Sequence, residues 1–251
     1  MSRKNTIVEE ERRALKKRLA KKQSRKNRIR RIVKKEIGKP NVVVSEVCAI
    51  CGVKEATTRD HVPPKAIFPK PRPAMITVPA CSECNNGASD LDDLFKVYLS
   101  MQATGKSEIA TKLFKERTVR TLQRNKSLLS KIKAESKALL VKNNEGKSEK
   151  KLAILWDSKA HDEVVQRTIR GLYYHHADKP LAYDTELKVQ WLKSIPEEIE
   201  SILELLTENV IGDDQVRYKY YIAPEDPRHS VWLFDFYGAH YASGYTVPID
   251  S

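Results

Sequence analysis

The chain has 251 residues and a formal net charge of +13, and that surplus is confined to residues 1–40, which hold 17 basic and four acidic side chains against a balanced remainder. With 40% apolar and 31% charged residues it can bury a core, which excludes wholesale disorder. No apolar run approaches the ~18–20 residues of a membrane span, no apolar segment follows the charged N-terminus as a secretory signal requires, and the run Glu9–Glu11 is foreign to a mitochondrial presequence.

Residues 9–37 are predicted to form a basic helix with a short apolar stripe at Ile29, Ile32, Val33 and Ile37, closed by Gly38 and Pro40. Residues 1–40 are therefore a basic helical arm, able to gain affinity by releasing counterions from nucleic acid phosphates. Deleting 2–38 is expected to weaken DNA binding and flatten its salt dependence. A strand is predicted at Val42–Val44. Six prolines make 62–79 a stiff loop. Ser89 is the predicted N-cap of a helix over 89–103, with Asp92 as capping partner. A basic helical stretch is predicted over 107–141 and a polar linker over 143–151. Beyond it the pattern gives a helix at Asp162–His175, a strand at Leu187–Leu192, a helix opened by Pro196, and strands at Val216–Ile222, Val231–Tyr237 and Tyr241–Val247. The organisation expected is the arm (1–40), a module over 41–105, a helical spacer over 106–150, and an α+β C-terminal domain over 151–251.

The four cysteines form two CxxC pairs, Cys48/Cys51 and Cys81/Cys84. Without an export signal, this spacing reads as a structural thiolate Zn²⁺ site in a reducing, cytoplasmic setting rather than as disulfides. Between the pairs lie Asp60 and His61, and directly after them Asn85 and Asn86. A carboxylate and an amide carbonyl are hard oxygen ligands suited to Mg²⁺. A histidine is partly available as a neutral base at neutral pH. A base, a hard cation and a rigid frame together can hydrolyse a phosphodiester.

The run from Cys48 to Asp93, with DHVPPKAIF, VPACSECNN and SDLDD, resembles the HNH (ββα-metal) endonucleases, in their zinc-knuckle branch. The resemblance implies an α+β fold with a zinc-braced ββα module. It implies His61 as general base, Asp60 and Asn85 on catalytic Mg²⁺ or Mn²⁺, and Asn86, Asp90 and Asp93 as fallback ligands. Many relatives place a bracing Asn a few residues before the second CxxC; here Ala74 and Met75 stand there, so the loop is braced by something else, such as a backbone carbonyl. The activity implied is cleavage of DNA, in a setting such as restriction or phage defence, with nicking by a single module and double-strand cleavage by a dimer. Two alternatives stay open: a non-catalytic zinc-binding nucleic-acid module, and an HNH nuclease acting on RNA.

Of the other histidines, His175 and His176 are expected to sit favourably at a helix C-terminus, and His161, His229 and His240 to be solvated or core residues. Trp156, Trp191 and Trp232 are expected in the core. The C-terminal domain shows no motif and is expected to act as a sensor, a dimerisation unit or a dock for a protein partner.

Overall fold

The computed structural model describes residues 46–249 apart from 143–144, 156, 197–198 and 200–202. The basic arm, the Val42–Val44 strand, Trp156 and most of the helix expected after Pro196 lie outside the described residues. The fold is α+β. A short hairpin of β1 (Thr58–His61) and β2 (Thr77–Ala80) leads into α1 (Ser82–Asn86) and α2 (Ser89–Ala103). A helical run follows: α3 (Glu108–Leu113), a π-helical turn over Phe114–Thr118, α4 (Val119–Arg124) and α5 (Lys126–Ala134).

The chain then departs from expectation. Leu139 and Leu140 lie in a strand, β3 (Ser136–Lys142), and much of the expected linker is its partner β4 (Ser148–Ile154). The two strands form a separate antiparallel ribbon with most residues exposed. Helix α6 (Ser158–Ala177) and a five-stranded antiparallel sheet complete the fold. The sheet comprises β5 (Thr185–Leu192), β6 (Thr207–Ile211), β7 (Val216–Ile222), β8 (Ser230–Phe236) and β9 (His240–Pro248), in the order β5-β9-β8-β7-β6.

Local sequence explains the main elements. The Asp157 side chain caps α6 by accepting from Ala160 N at 3.3 Å, and Val164, Val165, Ile169 and Leu172 line its buried face. The helix ends where Asp178 turns left-handed at φ 54°. In β8, Trp232, Phe234 and Phe236 recur at period two, all buried. Helix α2 begins differently from its prediction: its N-cap is Ala88, with no side-chain cap, and Asp92 is engaged elsewhere.

One apolar core joins these pieces. It holds Val62, Ile67 and Phe68 from the loop after β1, Phe95 and Leu99 from α2, Ile169 and Leu172 from α6, and Trp232 and Phe236 from β8. Residues 46–251 accordingly cluster as one compact unit, so the spacer and C-terminal segment pack into the same body as the cysteine-bearing region. Two contacts show how closely. Gly244 of β9 leaves room for Ile169, whose Cδ1 lies 2.4 Å from where a Cβ would stand. Tyr237, in the β8–β9 turn, donates its hydroxyl to the Ile67 carbonyl at 2.5 Å. No described helix is long and apolar enough to cross a membrane.

Candidate functional site

The four cysteines converge. Their Sγ atoms all lie within 4.8 Å of one another, and none is in a disulfide. That spacing is compatible with four thiolates around one tetrahedral ion at ~2.3 Å each. Cys48 and Cys51 come from a turn in which Gly52 N donates to Cys48 O at 2.8 Å. Cys81 is the N-cap of α1, its sulfur accepting from Cys84 N at 3.5 Å. Burial pushes the thiols of Cys48 and Cys84 up, so without a cation these sulfurs stay protonated. For Cys51, burial also acts upward but is outweighed by the backbone N–H groups of Lys54 and Val53, giving about 7.

The cysteine cluster fixes β1 against α1. Asn85, next to Cys84, donates Nδ2 to Thr58 Oγ1 at 3.0 Å and to the Arg59 carbonyl at 3.2 Å. Thr58 in turn donates to the Ala80 carbonyl at 2.8 Å. Asn85 is thus brought beside the strand residues that immediately precede Asp60 and His61.

Asp60 is buried, and its Oδ1 accepts from His61 N at 2.7 Å. Its Oδ2 is a buried oxygen without a hydrogen bond, 3.4 Å from Arg167 Nε. Arg167, on the buried face of α6, also pairs through Nη2 with Asp92 of α2. One guanidinium therefore serves the buried Asp60 carboxylate and the partly covered Asp92 carboxylate. Burial raises Asp60, with Arg167 opposing; burial likewise raises Asp92 to about 6, again against Arg167. Sequence reasoning missed Arg167 and Asp92. The available signal was an arginine one turn after Val164 on a largely apolar helix face.

His61 ends β1 opposite Thr77, half-buried. Burial and then the positive charge of Lys65 lower it below its ordinary value, with Arg72 adding to the effect and Asp60 opposing it. In place of a side-chain brace, the residue after it, Val62, donates its N–H to the Ile76 carbonyl at 3.1 Å. The remaining expected ligands are dispersed: Asn86 and Asp90 are exposed, and Asp93 pairs with Lys96. Among the described residues the cysteines form the one metal-competent grouping of His, Cys, Asp and Glu, which Asp60 and His61 do not join.

The other histidines divide. His161 and His240 are core residues and His229 is exposed. His176 does more than end a helix: its Nε2 pairs with Tyr218 Oη at 3.0 Å and its Nδ1 with Tyr220 Oη at 3.1 Å. Trp232 is a core residue, whereas Trp191 is 43% exposed. Comparison with protein-family models, curated proteins and solved structures finds no match to this chain.

Proposed function

We propose that the chain is a metal-dependent HNH (ββα-metal) endonuclease that hydrolyses phosphodiester bonds in DNA, with a structural Zn²⁺ on Cys48, Cys51, Cys81 and Cys84. The observation that carries this reading is the hydrogen bonding of Asn85 to Thr58 and Arg59, which sets the amide after the last cysteine beside the strand bearing Asp60 and His61. A hairpin followed by a helix, with a base on the first strand and an oxygen ligand on the helix, is the arrangement the chemistry needs.

The donor set fits a hard cation. Asp60 Oδ2 is buried without a hydrogen bond, and Asn85 spends Nδ2 on β1, which leaves Oδ1 for a ligand. Asp60 and Asn85 would hold Mg²⁺ or Mn²⁺. When bound, the ion would stabilise charge on the phosphate and the leaving oxygen. His61 takes a proton from the attacking water; its lowered affinity for protons keeps it neutral, and so competent, at pH 7. Arg167 holds Asp60 in place.

The test is nicking of supercoiled plasmid with and without Mg²⁺, beside His61→Ala and a zinc assay. Loss of nicking in His61→Ala, with DNA binding unchanged, supports the enzyme. A second reading, a non-catalytic zinc-binding nucleic-acid module, is favoured by the engagement of Asp60 with Arg167, which competes with a cation for the same carboxylate. Absence of Mg²⁺-dependent nicking in the zinc-loaded wild type selects it.

A further inference from the structure

Arg117, Arg120 and Arg124 follow one another at spacings of three and four along the π-turn and α4, which puts them on one helix face. With Lys70 of the loop after β1 they line a cleft of about 300 Å³, in which Glu116 is the sole acidic group. Arg72 continues the series toward the site: its Nε donates to the Lys65 carbonyl at 3.2 Å. Burial lowers Arg117 and the charge of Arg72 adds to it; burial and then Lys65 lower His61 and Arg72 adds again, so Arg72 lies within electrostatic reach of both the cleft and His61.

The cleft gathers cations that carry no ion pair among the described residues, unlike the paired arginines of the same body. Arg167, Arg217 and Arg228 each pair with two carboxylates. Lys65, Lys70, Arg72, Arg117, Arg120 and Arg124 have no carboxylate ion pair among the described residues. The mount beneath them is firm. Lys96, 2% exposed, extends from α2 to donate to Thr121 Oγ1 at 2.8 Å, tying the arginine helix to the core. Several like charges with only Glu116 in the cleft to offset them repel one another on a fixed scaffold, which an anion filling the cleft would relieve.

We propose that this cleft is a backbone-binding track for duplex DNA, leading from His61 across Lys65 and Arg72 to Arg117, Arg120 and Arg124. It rests on the nuclease reading for its direction, because His61 marks where the scissile phosphate lies. Guanidinium forks match phosphate oxygens in geometry and charge. The rise from Arg117 to Arg124 is about 10 Å, which covers some three strand charges at roughly 3.4 Å of duplex axis each. The track contacts phosphates and carries no base readout.

The test measures binding of a labelled DNA duplex by the full chain without added divalent cation, over a range of NaCl. Arg120→Ala/Arg124→Ala is compared with Lys179→Ala/Lys188→Ala, an equal loss of charge at exposed positions elsewhere. The arginine variant is expected to bind about tenfold more weakly, with the slope of log K against log salt reduced by about two. The lysine variant is expected to stay within about threefold of wild type. Equal behaviour of the two variants overturns the track. A loss confined to an RNA duplex of the same sequence overturns its assignment to DNA. The two readings fail separately: a wild type that binds through the arginines yet never nicks with Mg²⁺ rejects the nuclease and keeps the track. Nicking and binding that ignore the arginine pair do the reverse.

Discussion

Gly171 of α6 lies directly against Val62: a Cβ built on the glycine would stand 2.4 Å from Val62 Cγ1. One turn earlier on the same helix, Arg167 reaches Asp60. Helix α6 therefore grips the residues on either side of His61, one by charge and one by close packing. Gly171→Ala is expected to force Val62 and the loop aside at a cost of about 1–3 kcal/mol. Chemical denaturation reads the loss, and the nicking rate is expected to fall further than stability alone explains. Val62→Ala placed on Gly171→Ala should recover part of both, since the clash is with the removed methyl groups.

Arg167→Ala leaves the buried Asp60 and the partly covered Asp92 without their shared cation. A loss of about 3–5 kcal/mol is expected at neutral pH. Both carboxyls already have raised proton affinity in the fold, Asp92 to about 6, and removing the guanidinium raises it further. The folded state then binds more protons than the unfolded state between pH 4 and the raised values, so stability falls as pH rises through that window. The variant should thus regain part of its deficit at pH 5 relative to pH 8, read as the difference in urea midpoint from wild type. A deficit independent of pH would show that packing, not charge, is what Arg167 contributes.

The cysteine cluster should hold about one zinc per chain, measured by metal analysis after exhaustive dialysis. Because burial keeps the thiols of Cys48 and Cys84 protonated in the absence of metal, zinc uptake should release protons, detectable by pH-stat titration. Cys81→Ser removes both a ligand and the sulfur that caps α1. It is expected to lose the metal, lower the thermal midpoint and abolish nicking together. Retained zinc with unchanged melting would contradict the shared site.

His176 is held neutral between two tyrosine hydroxyls, and burial, followed by the charge of His175, lowers it to about 4. In the unfolded chain it titrates near ~6.5. Between those values the unfolded state binds the extra proton, so this residue costs stability as pH falls from 6.5 toward 4 and nothing more below that. His176→Phe should flatten the acid decline of the wild type by on the order of 1 kcal/mol, read from denaturation midpoints at pH 7, 5.5 and 4.5. Parallel pH curves for the two proteins would contradict this.

What could be read from sequence follows from range. The CxxC spacing is local and its ligand chemistry explicit, so the sulfur cluster was legible. Period-two runs such as Trp232, Phe234 and Phe236, and the apolar stripe of α6, were legible for the same reason. Leu139 and Leu140 continue the leucine spacing of α5 and so read as helix; in the ribbon they are 47% and 77% exposed, which erases the one-sided burial that marks a strand. Strand β6 was missed because only Ile211 within it is buried. The pairing of Arg167 with Asp92 joins residues 75 positions apart, and no local pattern encodes it. The burial of Asp60 against Arg167 was not legible for the same reason: that partner comes from a helix more than a hundred residues later.

The hydroxyl of Tyr237 reaches a carbonyl 170 positions before it, in the loop that follows His61. A chain still emerging from the ribosome, lacking β8 and β9, has the cysteines, the aspartate and the imidazole but not the strut that steadies this loop. On the proposed nuclease reading, competence would then wait for β8 and β9, so that partial chains lacking them are spared from cutting the nucleic acid around them.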